Sequence, residues 1–273
     1  MNGMKHSVGN VANILGLSPG ILRHYEKLGI INPERDNSGY RSYSTRDVNI
    51  LMGVRKLIGM GFSLEEVKHL IYGASLEKVK QSLDTLEENM KKEIRWRQLV
   101  LEFIQKQRQE YEVISEESHK FEITKSPAVY RIRSQYENFL SAEEAANTYV
   151  YRWISKMPIV RISPEFSVEA IYNQTEEYQF GFVVEEELAE ELELMETPDM
   201  IFIPSQLCLT TIISSQGEDH IKASMLKRAV NYIAKHNMKI SDNAWGMTIG
   251  SYVEKDMHKR FHKIFIPIEN ENK

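Results

Sequence analysis

The sequence predicts a multidomain chain: an all-α winged helix-turn-helix domain, a long coiled-coil dimerisation helix, and an α+β C-terminal domain. Three observations predict it. Two short helical patterns followed by a polar-tipped ribbon fill the stretch up to Tyr43. From Ser75 to about Ser118 the chain runs for 44 residues without Pro or Gly. Beyond Phe121, short apolar runs alternate with two helical patterns. The expected divisions are 1–73, 75–118 and 121–273.

The first domain is built from local signals. Ser7 reads as an N-cap, and Val8, Val11, Ala12 and Leu15 share one helical face up to the break at Gly16. Ser18-Pro19 restarts a helix with Ser as cap and Pro at the first position, where its missing N–H costs nothing. Ile21, Leu22, Tyr25 and Leu28 give this helix its apolar face, and Gly29 ends it. Ile30-Ile31 reads as a short strand, Asn32 to Gly39 as turn chemistry, and Tyr40–Tyr43 as a returning strand. Ser44…Asp47 and Ser63…Glu66 are capping boxes that open two further helices, separated by Met60-Gly61-Phe62.

In the 75–118 segment, Leu76, Val79, Leu83, Leu86 and Met90 step by three and four, the seam of a coiled coil. It continues through Ile94, Leu101, Ile104 and Tyr111, with Arg97 and Arg108 on the same stripe. Such a helix spans roughly 66 Å at 1.5 Å per residue and cannot bury its stripe alone, so a homodimer is expected. In the last domain, Ala128–Tyr136, Ser167–Tyr172, Phe180–Glu185, Met200–Ser214, Gly246–Val253 and Ile264–Ile268 read as strands. Ala142–Met157 and Ile221–His236 read as helices, which together predict a mainly antiparallel sheet.

Composition bounds the function. The 273 residues are 42% apolar and 27% charged, ordinary for a globular protein. No apolar run approaches a membrane span and no secretory signal opens the chain, so no membrane partner and a cytoplasmic location are expected. The net charge of −5 conceals an asymmetry. Residues 1–72 carry nine Lys/Arg against six Asp/Glu, whereas 165–199 carry twelve Asp/Glu and no Lys/Arg. The N-terminal part is mildly basic and can approach phosphates. The acidic run Glu185–Glu196 reads as a solvated helix face, since buried carboxylates are rare without partners.

A helix-turn-helix needs a small residue where its helices cross, a glycine in the turn, and apolar pins on the second helix. Ala12, Gly16, Leu22 and Tyr25 meet these demands. Val11-Ala12, Leu22-Arg23-His24-Tyr25-Glu26, Gly29, Ser38-Gly39-Tyr40-Arg41-Ser42-Tyr43 and Gly61-Phe62-Ser63-Leu64-Glu65-Glu66-Val67 together resemble the MerR family of bacterial transcription regulators, in order and register over roughly residues 6–72. The resemblance implies a homodimer on double-stranded promoter DNA, acting on RNA polymerase indirectly by distorting the promoter. It implies phosphate contacts from Arg23, Tyr25, Tyr40 and Arg41, and Ser18, His24 and Arg35 are further candidate DNA contacts. Arg is suited to phosphate by its planar fork, and a Tyr hydroxyl donates without adding charge. The competing reading makes Tyr25, Tyr40 and Tyr43 core residues and Arg41 a solvated tip. Pro19-Gly20 departs from the family, which often has a longer polar residue there, and shifts weight to DNA deformation.

The signal sensed is addressed by the last domain. Metal sensing needs clustered soft ligands, and Cys208 is the single cysteine while His119 has no thiol companion, so no metal and no cofactor are expected. The layout and the ending Phe261-His262-Lys263-Ile264-Phe265-Ile266-Pro267-Ile268 resemble the GyrI-like effector domain of multidrug-binding members. That resemblance implies a small-molecule effector, lipophilic or aromatic, held by an aromatic cage with a carboxylate. The candidates are Tyr149, Trp153, Tyr172, Phe182, Glu185, Trp245, Tyr252 and Lys263. Lys263 falls where the family's pocket acid often stands, which favours an anionic or neutral ligand unless another acid takes over or the pocket is closed. Two other classes compete. One is a DNA-binding dimer whose C-terminal domain takes a protein partner or nothing. The other is a GyrI-like hydrolase using Glu185 and Glu187, for which no nucleophile, base or phosphate loop is in sight, so no catalytic residue is assigned.

Overall fold

The computed structural model describes residues 5–117, 120–133, 135–136, 139–140, 144–217 and 220–270. Ser118, His119 and the first two residues of the helix expected from Ala142 lie outside them. The chain forms two compact units, 1–96 and 97–273, that divide inside one long helix. No described helix is long and apolar enough to cross a membrane.

In the first unit, strand β1 (His6–Ser7) runs into helix α1 (Val8–Leu15), with Ser7 accepting a hydrogen bond from Asn10 N at 3.3 Å. Gly16 stops α1 in the left-handed region, φ 61°, which a residue without Cβ adopts at no steric cost. Ser18 then caps helix α2 (Pro19–Lys27) through a bond from Ile21 N at 3.3 Å. Strands β2 (Glu34–Arg35) and β3 (Arg41–Tyr43) form the ribbon, and β1 pairs on the far side of β3. Asp36 Oδ1 accepts from Ser38 N and Tyr40 N, both at 2.9 Å, which fixes the tip. Helices α3 (Thr45–Met60) and α4 (Leu64–Tyr72) each open with a complete capping box. Asp47 reaches back to Ser44 N at 2.8 Å, as closely as Glu66 reaches Ser63 N, so the shorter acid closes its box fully. Val11, Leu15, Leu22, Ile30, Leu51, Val54 and Val67 meet in one core. Ile30 and Ile31 correct the strand expected there. Both side chains are buried in succession, which an alternating strand on a half-solvated ribbon cannot do, and the backbone turns instead.

Helix α5 (Leu76–Glu117) serves both units. Leu86 packs on the core of the first. Leu76, Leu83, Met90, Ile94, Leu101, Ile104 and Tyr111 are exposed along it.

The second unit adds strands β4 (Glu122–Lys125), β5 (Val129–Arg133), β6 (Gln135–Tyr136) and β7 (Phe139–Leu140), then helix α6 (Glu144–Ile154). Next come β8 (Arg161–Phe166), α7 (Val168–Asn173), β9 (Gln179–Glu185) and α8 (Glu186–Ala189). Strands β10 (Ile201–Ile203) and β11 (Leu207–Gln216) precede a 3-10 turn, Ala223–Leu226, and α9 (Lys227–Lys235). Strands β12 (Met238–Ile240), β13 (Ala244–Glu254) and β14 (Met257–Asn270) close it. Among the described residues β6 and β7 pair with each other, and the other nine strands form an antiparallel sheet in the order β10-β5-β9-β8-β13-β14-β11-β4, with β12 on β14. Two cores follow from the period of two along a strand. Ile264, Ile266 and Ile268 face α7 and α9, together with Phe166, Ile171 and Ile233. Trp245, Met247 and Phe265 face the other way, with Val129, Val183 and Ile114 of α5.

Ser167–Tyr172, expected as a strand, is helix α7. Ser167 Oγ accepts from Ala170 N at 3.0 Å, and the cap outweighs the β-branched Val168 and Ile171. Strand β8 was not expected, because Pro164 interrupts its pattern. The expected strand from Met200 is divided around Pro204-Ser205 into β10 and β11. The helix expected from Ile221 begins instead as the 3-10 turn.

Candidate functional site

The first unit presents α2 and the ribbon as an outward surface. Arg23 and His24 are exposed on α2, and Arg23 Nε donates to Pro19 O at 3.3 Å, which lays its guanidinium along the start of the helix. On the ribbon, Tyr40 is 73% exposed, and Arg35 donates to Gly39 O at 3.1 Å across the tip. Arg41 is half-buried and its Nε donates to the Glu26 carboxylate, so an ion pair ties the ribbon to α2. That hydrogen bond raises the Arg41 guanidinium above its ordinary value. Tyr25 is placed differently: only 7% exposed, its ring belongs to the core, and so does Tyr43. Ser18 is committed as the helix cap. The surface therefore offers Arg23, His24, Arg35 and Tyr40 to a partner, with Arg41 held in reserve by Glu26. Lys27 and Arg46 are exposed cations on α2 and α3 that sequence reasoning passed over; their position at helix ends was the available signal.

The second unit contains a cavity of about 130 Å³ against the Val183–Met247 face of the sheet. Leu99, Phe103, Val129, Ile159, Val183, Leu188 and Met247 form its apolar walls, and Glu102, Lys106, Arg161 and Glu185 are its charges. Strand β8 explains how an arginine arrives there. Its face residues Arg161, Ser163 and Glu165 point inward, while Ile162 is 40% exposed on the other side. Arg161 donates to Glu110 Oε1 of α5 at 2.7 Å and lies 4.8 Å from the centre of the Phe103 ring. Further along the same face, Arg131 is fully buried and donates to Ser163 and Glu165, and Arg133 reaches the same carboxylate at 3.0 Å. Burial pushes Glu165 up, but the hydrogen bond from Arg133 and the fields of both arginines outweigh it and hold the carboxyl below its ordinary value.

Helix α5 is tied to the sheet by polar bonds on successive turns. Lys106 pairs with Glu185, Gln107 donates to Ile249 O, Glu110 holds Arg161, and Tyr111 donates to Ser251 O at 3.1 Å. Of the eight residues expected at an effector pocket, Glu185 is the one that lines this cavity among the described residues. Trp245 is buried beside it, stacked on Phe265 at 4.7 Å, and its Nε1 makes no protein hydrogen bond. Lys263 pairs in register with Met247 and lies over Phe265 at 5.7 Å. Phe182 points away from Val183, through the sheet. Trp153 is buried with its Nε1 donating to Thr197 at 3.0 Å, and Tyr172 and Tyr252 are half-exposed elsewhere. Tyr149, on α6, is partly buried and does not line the cavity. Leu99, Phe103, Arg161 and Met247 escaped sequence reasoning. Their signal was a second stripe on α5, offset from the coiled-coil seam, and a charged residue in an otherwise apolar run.

Cys208 is buried, and burial pushes its thiol up to about 11, so it is protonated at neutral pH and a poor metal ligand. Among the described residues no group of three or more His, Cys, Asp or Glu could hold a metal ion. His119 lies outside them.

The model of the MerR HTH family regulatory protein matches residues 6–74. These residues are a MerR-family helix-turn-helix domain. The HTH-type transcriptional regulator slr0701 of Synechocystis sp., itself uncharacterised, is 42% identical over 67 residues, 24% of this chain and 49% of that protein. The HTH-type transcriptional regulator HmrR of Rhizobium leguminosarum is 38% identical over 65 residues, 24% of this chain and 50% of that one. The chain thus spans about half the length of the curated relatives it matches. Among solved structures, an EcmrR–DNA complex covers 97% of this chain and 100% of its own at 14% identity and a TM-score of 0.40, too low for a conclusion about the fold.

Proposed function

We propose that this chain is a MerR-type transcription regulator that binds promoter DNA as a homodimer and responds to a small molecule held in its GyrI-like second unit. The observation that carries the reading is a MerR-family domain whose second helix and ribbon turn Arg23, His24, Arg35 and Tyr40 outward. The exposed stripe on α5 supports the homodimer, since the six large apolar residues exposed from Leu76 to Ile104 are a standing cost that a second helix removes. The cavity beside α5 supports a small-molecule effector, because the helix that would join two copies also walls the site. Drug-sized ligands fill about 300–1,000 Å³, so an effector of that size has to part Lys106 from Glu185 to enter. RNA polymerase is then affected through the DNA. On this reading the chain is a regulator and not an enzyme.

Mapping the bound promoter and titrating it at several salt concentrations tests the DNA half. Arg35→Ala removes an exposed cation from the ribbon, one of those offered to phosphate. Affinity should fall for all sequences alike, and the slope of log K against log salt should flatten by about one. Unchanged affinity and slope would defeat the ribbon assignment.

A further inference from the structure

Resting on the effector reading above, we infer that the cavity beside α5 takes a small carboxylate with an apolar body, bound head-first on Arg161 in competition with Glu110. Four charges line the cavity, and they are not equivalent. The side chains of Lys106 and Glu185 are 50% and 41% exposed and already paired with each other, and Glu102 is exposed on the helix surface. Arg161 is 8% exposed, so its charge acts in the least screened surroundings of the four.

Its hydrogen bonding leaves an edge free. The Nη1 group donates to Glu110 Oε1 at 2.7 Å and approaches Met247 Sδ at 3.6 Å. Nε and Nη2 make no hydrogen bond within the described structure, yet neither is among the buried polar atoms that lack a partner. They therefore meet open space, and the space that Arg161 lines is this cavity. A guanidinium edge with two unused donors matches the two oxygens of a carboxylate. The body of the ligand follows from the walls: Leu99, Val129, Val183 and Met247 accept only apolar surface. A void of about 130 Å³ belongs to the size class that holds a benzene-like ring.

A cation has less to gain. Glu185 would have to be taken from Lys106, and Glu102 is screened by water, whereas the Phe103 face is occupied by Arg161. Counting Glu110, the formal charge around the site is −1. A carboxylate on the free Nε and Nη2 edge therefore shares the charge of Arg161 with Glu110 on Nη1, and this makes Glu110 a competitor for that charge rather than a bystander. Because Glu110 belongs to α5, occupancy of Arg161 is felt by the helix itself.

The test uses calorimetric titration of the full chain with benzoate, neutral benzamide and cationic benzylammonium. Benzoate should bind, and benzylammonium should not. Glu110→Gln should tighten benzoate about tenfold by removing the competitor. Arg161→Met alone leaves Glu110 without its arginine in a partly buried position, so the working variant is Arg161→Met/Glu110→Gln, which should lose benzoate by about tenfold or more. Benzoate binding undiminished in that double variant, or benzamide or benzylammonium binding as tightly as benzoate, overturns the carboxylate assignment and leaves a small-molecule site standing. Absence of heat from all three, with no rise in melting temperature across a broader panel of ions and neutral aromatics, overturns the effector reading itself.

Discussion

Single side chains set how this molecule answers to pH and charge. His262 is buried on β14, with Nδ1 3.1 Å from Thr248 Oγ1, and burial, aided by the field of Arg260, lowers its pKa to about 4. The sign follows directly. Below about pH 6.5 the unfolded histidine takes up a proton that the folded one refuses until about pH 4. Stability is therefore complete above pH 6.5, falls as pH drops across that window, and levels off below it, by roughly 3 kcal/mol in all. His262→Asn keeps a polar group toward Thr248 and removes the titration. Urea unfolding at pH 7 and pH 4.5 should show a smaller loss in the variant than in the parent; equal losses would assign the acid sensitivity elsewhere. At this scale the sequence was an uneven guide. Cap residues such as Ser7, Ser18 and Ser63 were legible because their bonds are local. Arg161 was not, because its significance lies in partners 51 and 86 residues away, Glu110 and Met247.

Among the elements, α5 and the β13–β14 pair decide the second unit. A Cβ on Gly250 of β13 would stand 2.9 Å from Tyr111 Cε1 and 3.0 Å from Ile114 Cδ1, so the glycine lets the end of α5 lie close on the sheet. Gly250→Ala should cost about 1–3 kcal/mol through overpacking, read as a lowered urea midpoint. Adding Ile114→Ala should return part of that loss; no recovery would mean the helix does not press on β13 in solution. Period and capping signals found most elements here. The exceptions have physical causes: in α7 a serine cap overrides β-branched residues, and in β8 one covered face carries Arg161, Ser163 and Glu165 while the other buries Phe166, so neither alternation nor a continuous apolar run appears. A strand with a polar buried face is hard to see in one sequence, and here that face is what brings Arg161 to the cavity.

For the whole molecule the deciding feature is the uncovered stripe on α5. Leu101 and Ile104 are 55% and 56% exposed, on the same side as Leu83 and Ile94. In the proposed homodimer, Leu101→Glu/Ile104→Glu sets four carboxylates into a two-helix seam, and like charges without partners are costly there. Sedimentation should show dimers giving way to monomers, with promoter affinity falling because two half-sites are no longer linked. A dimer that survives both substitutions would move the interface off this helix.

The sequence by itself determined the first unit and the existence of the long helix. Helix caps, turn glycines and apolar spacing act over a few residues and sum along the chain, so the ordered residues of the helix-turn-helix could be read directly. Only the tertiary structure decided how α5 divides its faces. One stripe remains open, and another, from Leu99 through Phe103 to Ile114, closes on the sheet beside Arg161. The physical reason is that a helix repeats every 3.6 residues and carries several candidate faces at once. Which face is covered depends on strands that arrive from the far end of the chain.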